Sequence, residues 1–140
     1  MYIEETVDID APPERVWAVM SDVERWPRWT ASVTAVQRLE GGPLDVGARA
    51  RITQPKLAPA VWLVTVLDPG RSFAWVAGIP GLRTTGTHWL ALSGAGTRAT
   101  LELRTTGVFA WLFGGWLEPL SRRYVAMEAA GLKRECEGGT

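Results

Sequence analysis

The chain has very little of the chemistry that metal-binding and nucleophilic sites use most. Its 140 residues contain one histidine, His88, and one cysteine, Cys136. Because zinc sites need several His, Cys or carboxylate ligands, and because no carboxylates follow the spacing of a calcium loop, we expect no metal and no cofactor. A single cysteine forms no internal disulfide, which suits a reducing cytoplasm, and its neighbours Glu135 and Glu137 disfavour the thiolate nucleophile.

The chain also lacks an excess of charge of one sign and long hydrophobic runs. Fifteen basic residues balance fifteen acidic ones, and no segment concentrates the basic residues. Since contacts to phosphates need a basic surface, we expect no nucleic-acid partner. The N-terminal residues have no signal-peptide pattern, and the longest apolar run, residues 108–117, is too short to span a bilayer. No glycine-rich phosphate loop or G-x-S-x-G nucleophile motif is present.

The apolar content is sufficient for one packed domain. Hydrophobic residues make up 46% and charged residues 21% of the chain, and single domains most often have about 100–150 residues. No repeat, linker or low-complexity segment divides the sequence. We therefore expect a single domain that spans residues 1–140.

The first thirty residues predict a strand followed by two short helices. Apolar and polar side chains alternate over residues 2–10, as in a half-buried strand. Asp10 suits the N-cap of the next helix, and the two prolines that follow suit its first turn. A second helix, capped by Ser21 or Asp22, is expected to stop at Pro27, because proline disfavours α geometry in the residue before it.

The middle of the chain predicts an antiparallel meander. Strands are expected near 31–40 and 48–55, at 60–67 and 72–77, and at 84–93 and 97–107. The sequences Asp68-Pro69-Gly70 and Gly94-Ala95-Gly96 are typical of tight turns, since proline fixes φ and glycine adopts positive φ. Each turn therefore joins two of these strands in a hairpin.

The last thirty residues change to a helical period. Large apolar side chains recur at three- and four-residue steps between residues 108 and 137. Pro119 and the preceding Gly114-Gly115 pair weaken a continuous helix. We therefore expect a short apolar helix, a bend, and a longer helix from 118 to 136. That helix is the one element long and apolar enough to cover a curved sheet.

These segments together resemble a known family. The sequences DIDAPPERVWAVMSDVERWPRWT, GGPLDVGARARITQP, VWLVTVLDPGRSFAW, TTGTHWLALSGAGTRATLEL and YVAMEAAGLKRECE are similar to the polyketide cyclase/dehydrase branch of the START-like (SRPBCC, helix-grip) superfamily. The resemblance covers essentially the whole chain. It implies an α+β helix-grip fold: a curved antiparallel β-sheet of six to seven strands wrapped around a long C-terminal helix, with two short helices after the first strand. It also implies an unfilled space between sheet and helix.

Side chains alternate between the two faces of a strand, and this alternation predicts large aromatic rings beside small residues on the inner face of the sheet. Trp62, Val64 and Val66 share one face of their strand, and Phe73 and Trp75 share a face of the next strand. Aromatic walls with few polar groups are typical of small-molecule sites. The predicted cavity residues are Trp29, Trp62, Val64, Phe73, Trp75, His88, Leu90, Leu103, Thr105, Phe113, Trp116, Leu117, Leu120 and Tyr124.

Three of these residues carry polar groups of interest. The alternation of side chains along its strand places His88 on the inner face. In a functional role it anchors a ligand carbonyl or acts as a general acid–base. Alternatively, it is a neutral histidine that forms a hydrogen bond with a backbone group. Tyr124 either presents its hydroxyl to the cavity or keeps it satisfied at the edge of the core. Thr105 is a third polar contact. We assign no catalytic residue, and His88 and Tyr124 are the candidates.

Three functions are compatible with this sequence. The first is binding or transport of a hydrophobic small molecule: a lipid, an isoprenoid or a polyketide-like compound. The second, which the resemblance implies, is a polyketide cyclase or aromatase-dehydratase in which His88 and Tyr124 move protons. The third is an accessory factor that contacts a protein or a membrane surface through residues 108–117. A monomer and a homodimer are both compatible with the sequence.

Overall fold

Seven antiparallel strands form one sheet, which packs against a long C-terminal helix. The structure is a computed structural model that describes residues 1–138; residues 139 and 140 of the predicted domain lie outside the described residues. The strands are β1 Tyr2–Ile9, β2 Ala35–Arg38, β3 Arg49–Thr53, β4 Ala60–Asp68, β5 Ser72–Ile79, β6 Leu82–Ser93 and β7 Gly96–Thr106. The helices are α1 Pro13–Ser21, a 3₁₀ helix Val23–Arg28, and α2 Ala110–Gly138.

The sheet order is β1-β7-β6-β5-β4-β3-β2, so the first strand pairs with the last and the others form a meander. Both predicted hairpin turns are present: Asp68 pairs with Ser72, and Ser93 pairs with Gly96. Gly70 and Gly94 have φ of 79° and 62°, a region that glycine enters without steric cost. The predicted helix-grip fold, with its long C-terminal helix and short helices after β1, is confirmed.

The predicted face of β4 is wrong at Val66. The pairing of β4 with β5 shifts between Val64 and Val66, where a β-bulge inserts one residue. A bulge reverses the alternation of side chains beyond it. Val64 therefore lies on the inner face with the partly buried Trp62 and is itself buried, whereas Val66 is exposed on the outer face.

The N-terminal helices differ from the prediction at the N-cap of α1 and at the end of the 3₁₀ helix, whose N-cap is Asp22 as expected. Pro12, not Asp10, is the N-cap of α1, and no side chain caps it. The backbone N–H of Asp10 instead donates to Oε2 of Glu137 at 2.8 Å. The second helix runs through Pro27 to Arg28, because it is a 3₁₀ helix rather than an α-helix.

Helix α2 is continuous, without the break expected at Pro119. Proline lacks the N–H that would donate to the carbonyl four residues earlier, which belongs to Gly115, and its ring crowds that carbonyl. Gly115 is exposed, so water can satisfy its carbonyl. The lost hydrogen bond therefore costs less here than it would inside the core.

The C-terminal half of α2 is fixed to β1 and to the 3₁₀ helix by close contacts. A Cβ on Gly131 would lie 2.1 Å from the carbonyl oxygen of Trp29, so the helix approaches this backbone more closely than any side chain allows. Arg134 Nη2 donates to the same oxygen at 3.2 Å, and Lys133 Nζ donates to the carbonyl of Asp8 at 2.6 Å. Cys136 is buried in this contact, and desolvation raises the pKa of its thiol to about 11.

Candidate ligand cavity

A cavity of about 170 Å³ lies between the sheet and α2. Seven of the residues predicted from the sequence line it: Trp62, Trp75, His88, Leu103, Thr105, Leu117 and Tyr124. The other lining residues are Met1, Trp26, Val33, Ile52, Gln54, Leu57, Thr84, Gly86, Leu101, Glu102, Ser121, Val125 and Glu128. The strands supply the aromatic wall, and α2 supplies the opposite side.

The remaining predicted residues lie elsewhere, in two groups. Four of them belong to the closely packed core rather than to the cavity wall: Trp29, Val64, Phe73 and Leu90. Phe113 and Trp116 are exposed on α2, and Trp116 and Leu120 lie together on the outer surface beside Lys56. Leu117, Ser121 and Glu128 share the face of α2 that meets the cavity, whereas Trp116 and Leu120 point away from it.

Three aromatic rings, Trp26, Trp62 and Trp75, build the wall, and Trp75 also contacts the core residue Phe73. The centroid of the Trp75 ring lies 5.8 Å from Trp62, 5.4 Å from Trp26 and 5.2 Å from Phe73, in tilted or edge-on contacts that aromatic pairs favour. Gly86 lies directly opposite Trp75 on β6. A Cβ on Gly86 would lie 3.2 Å from Nε1 of Trp75, so the absence of a side chain at 86 leaves the space that this indole occupies.

His88 and Glu128 lie within hydrogen-bonding distance of each other across the cavity. Nε2 of His88, on β6, lies 3.2 Å from Oε2 of Glu128, on α2, and the two side chains are 6% and 17% exposed. The imidazole stacks on the ring of Phe73 at 4.4 Å, with 9° between the planes. Its Nδ1 has no hydrogen-bond partner among residues 1–138. His88 therefore meets a carboxylate, which neither sequence-based alternative for this residue included.

Glu128 is the site residue that the sequence reasoning missed. It lies four residues after Tyr124, so the two side chains share a face of α2. This spacing was the available signal. The signal was weak because carboxylates are seldom buried without a partner, and nothing near Glu128 in the sequence indicates one. Its partner, His88, lies forty residues earlier, on a strand.

Apart from Ser121, the other polar side chains on the wall already have hydrogen-bond partners within the protein. The Tyr124 hydroxyl donates to the carbonyl of Pro55, which ties α2 to the loop between β3 and β4. Thr105 Oγ1 lies 3.0 Å from Thr84 Oγ1, and Gln54 Nε2 donates to the carbonyl of Ser32 at 3.2 Å. The α-amino group of Met1 donates to the carbonyl of Thr105. The His88–Glu128 pair is therefore the polar feature best placed to meet a ligand.

Within residues 1–138, no three His, Cys, Asp or Glu side chains cluster in a way that could hold a metal ion. No helix in this part of the chain is long and apolar enough to cross a membrane.

A sheet that grips a long C-terminal helix around a cavity is the arrangement of the helix-grip fold, and the sequence places the chain within one family of that fold. The chain belongs to the polyketide cyclase/dehydrase and lipid transport family, whose profile matches residues 2–137. A comparison with curated proteins found no significant match.

Solved structures share this fold over nearly the full chain. A START superfamily protein from Mycobacterium smegmatis has a TM-score of 0.79 at 15% identity and covers 99% of both chains. The Zhui aromatase/cyclase from Streptomyces sp. R1128 has a TM-score of 0.75 at 21% identity, over 98% of this chain and 93% of the other. The protein TTHA0849 from Thermus thermophilus has a TM-score of 0.79 at 20% identity, over 100% and 99%.

Proposed function

We propose that the protein binds a neutral, hydrophobic small molecule in the cavity between its sheet and α2. The observation that carries this proposal is the cavity itself, with Trp62 and Trp75 on one side and α2 on the other. Apolar walls with a few convergent polar groups are the usual form of small-molecule sites. The lipid-transport part of the family description supports the same class of ligand.

The volume of the cavity limits how large a part of the ligand the protein can enclose. A dry engineered cavity of about 150 Å³ holds benzene, so about 170 Å³ holds a group of one or two fused rings or an isoprene-sized unit. Burial of roughly 300 Å² of apolar ligand surface contributes about 7 kcal/mol before the costs of immobilisation. Because about 7 kcal/mol corresponds to a dissociation constant of about 10 μM before these costs, we expect a dissociation constant of about 100 μM for a ligand of this size.

The charges on the wall favour a neutral ligand. No lysine or arginine lines the cavity; the ionisable side chains on it are His88, Glu102, Tyr124 and Glu128, and the α-amino group of Met1 donates to the carbonyl of Thr105. A ligand carboxylate placed beside His88 would also meet the carboxylate of Glu128 in a low-dielectric site. A hydroxyl or carbonyl group would instead form hydrogen bonds with this pair without repulsion.

The first test is a titration with 2-naphthol, read by the fluorescence of the ligand. We expect a dissociation constant of about 100 μM for 2-naphthol and at least about tenfold weaker binding of 2-naphthoate. Gly86→Val should weaken 2-naphthol binding by at least about tenfold, because the new side chain enters the cavity beside Trp75. The matched control is Thr87→Val, which adds a valine at the next position of β6, outside the cavity lining.

Three results would contradict this function. They are no binding of 2-naphthol to the wild type, equal binding by the wild type and Gly86→Val, and equal loss in Gly86→Val and Thr87→Val. Circular dichroism of each variant shows whether the fold is retained. Native mass spectrometry of the freshly purified protein adds an independent result, since a retained mass of a few hundred daltons identifies the ligand class directly.

The His88–Glu128 pair favours a second candidate function, a polyketide cyclase or dehydratase. Aldol closure with loss of water needs a base that removes a proton next to a carbonyl, and an acid that protonates the departing hydroxyl. An imidazole performs both steps, and the carboxylate of Glu128 at 3.2 Å orients the ring. The hydroxyl of Tyr124 donates to Pro55, so Glu128 is better placed than Tyr124 to assist His88.

Glu128→Gln separates the two candidates, because it keeps the shape of the side chain and removes its charge. If the protein is a cyclase, turnover of a synthetic poly-β-ketone should fall by about 100-fold or more, while binding of 2-naphthol changes by less than about tenfold. His88→Ala should abolish the same turnover. The measurement is product formation by liquid chromatography and mass spectrometry. The cyclase is excluded if the wild type forms no product above the uncatalysed reaction.

A further inference from the structure

The start of α2 and the turn between β5 and β6 expose a set of large apolar side chains. The side chains of Trp111 and Trp116 are 78% and 63% exposed, and Val108 is 70% exposed. We define the apolar end by six residues: Ile79, Val108, Trp111, Leu112, Phe113 and Trp116. Soluble proteins rarely expose a contiguous apolar surface of this kind, and such a surface typically marks a site of interaction with another protein, a ligand or a membrane.

Direct contacts join the two segments of the apolar end. The backbone N–H of Phe109 donates to the carbonyl of Gly81 at 2.8 Å. The Phe109 ring occupies the place that a Cβ on Gly81 would take, and Val108 packs beside it. Gly81 has a φ of 87°, which a glycine adopts without strain. The apolar side chains on both segments therefore lie at the same end of the molecule.

The charges around the apolar end are mainly positive. Residues 54–61, 76–85 and 105–125 contain four basic side chains, Lys56, Arg83, Arg122 and Arg123, and one acidic side chain, Glu118. Lys56 and Arg123 lie with Trp116 in one surface depression, and Arg83 lies with Ile79 in another. Because the whole chain has a net charge of zero, this basic excess is local.

We propose that the apolar end docks on an anionic phospholipid bilayer. Tryptophan side chains favour the boundary between headgroups and acyl chains, and basic residues beside them are attracted to anionic headgroups. A second copy of the chain is a poorer occupant. In a two-fold symmetric contact the same surface lies on both sides, so the basic side chains would face one another.

The apolar end lies beside the cavity. Leu117 and Ser121 line the cavity from the turns of α2 that directly follow Trp116, and Leu57 lines it next to Lys56. Docking through Trp111 and Trp116 therefore places this side of the cavity at the bilayer surface. An apolar ligand would then pass between the protein and the acyl region over a short path.

The test is flotation of the purified protein with vesicles. We expect binding to vesicles of phosphatidylcholine mixed with phosphatidylglycerol, weaker binding to phosphatidylcholine alone, and loss of binding as salt increases. The double variant Trp111→Ala, Trp116→Ala should bind at least about tenfold more weakly. The matched control is Trp89→Ala, on β6, which removes a 38% exposed tryptophan that is not part of the apolar end and should bind like the wild type.

Charge reversal tests the electrostatic part separately. The double variant Lys56→Glu, Arg123→Glu should lose the preference for anionic vesicles and retain the binding to phosphatidylcholine alone. Thermal unfolding of every variant shows that the fold persists. The 2-naphthol titration without vesicles does not depend on docking. A negative result in the vesicle experiment would therefore not contradict the proposed ligand binding in the cavity.

The proposal is overturned if the wild type does not float with anionic vesicles, or if the variant without Trp111 and Trp116 floats equally well. It is also overturned if light scattering shows a wild-type dimer that this variant converts to a monomer. That result would assign the apolar end to a second copy of the chain.

Discussion

Gly131→Ala should lower the free energy of unfolding by about 3 kcal/mol. The new methyl group would meet the carbonyl oxygen of Trp29 at 2.1 Å, and this atom belongs to the backbone, so no side-chain rotation relieves the clash. Helix α2 would have to move away, and the bond from Arg134 to the same oxygen would lengthen. Urea unfolding followed by circular dichroism measures the change.

Gly115→Ala is the matched control, on the same helix with the same added methyl group. No atom lies within 4 Å of the position that its Cβ would occupy. Since alanine favours a helix over glycine by about 1 kcal/mol, this variant should be more stable than the wild type. The close contact between α2 and the 3₁₀ helix would be refuted if Gly131→Ala were stabilised to the same extent.

Phe73→Ala should be the most destabilising substitution of a single aromatic side chain, by about 3–5 kcal/mol. Phe73 has no exposed surface, and its ring packs against Trp17, Trp75 and His88. Its removal leaves a void between α1 and the sheet and removes the ring on which His88 stacks. A urea titration, with tryptophan fluorescence as the signal, measures the loss.

Phe113→Ala removes the same side chain from a site that is 45% exposed. We expect a change within about 0.5 kcal/mol, which is the usual range for surface substitutions. If both variants lost equal stability, Phe113 would belong to the core and the apolar end would be smaller than described.

The strands and turns were predictable because their signals are local. Residues such as Gly70 and Gly94 are required by the turn geometry, and alternation of apolar and polar side chains gives the inner face of each strand. The bulge after Val64 was not predictable, since it leaves no mark in the residue types on either side. The continuity of α2 at Pro119 depends on the exposure of Gly115, which is a tertiary property.

The part of the candidate site that lies on strands was predictable, because side chains alternate between the two faces of a strand. Trp62, Trp75 and His88 follow from alternation, and the structure places them on the cavity wall. The rotation of α2 about its own axis is set by its contacts with β1 and the 3₁₀ helix, not by its hydrophobic period. For this reason Trp116 was placed inward by the sequence reasoning and is exposed, whereas Glu128 was missed and faces His88.

The pairing of β1 with β7 has a consequence for synthesis on the ribosome. Tyr2 pairs with Arg104, so the first strand to emerge waits for about a hundred residues before its partner exists. The helix that packs against this pair, α2, follows β7 in the chain. The nascent chain therefore carries β1 unpaired, with one apolar face uncovered, until β7 has been translated, and closure of so long a loop slows folding. We expect expression to depend strongly on chaperones and on any fusion at the C-terminal end.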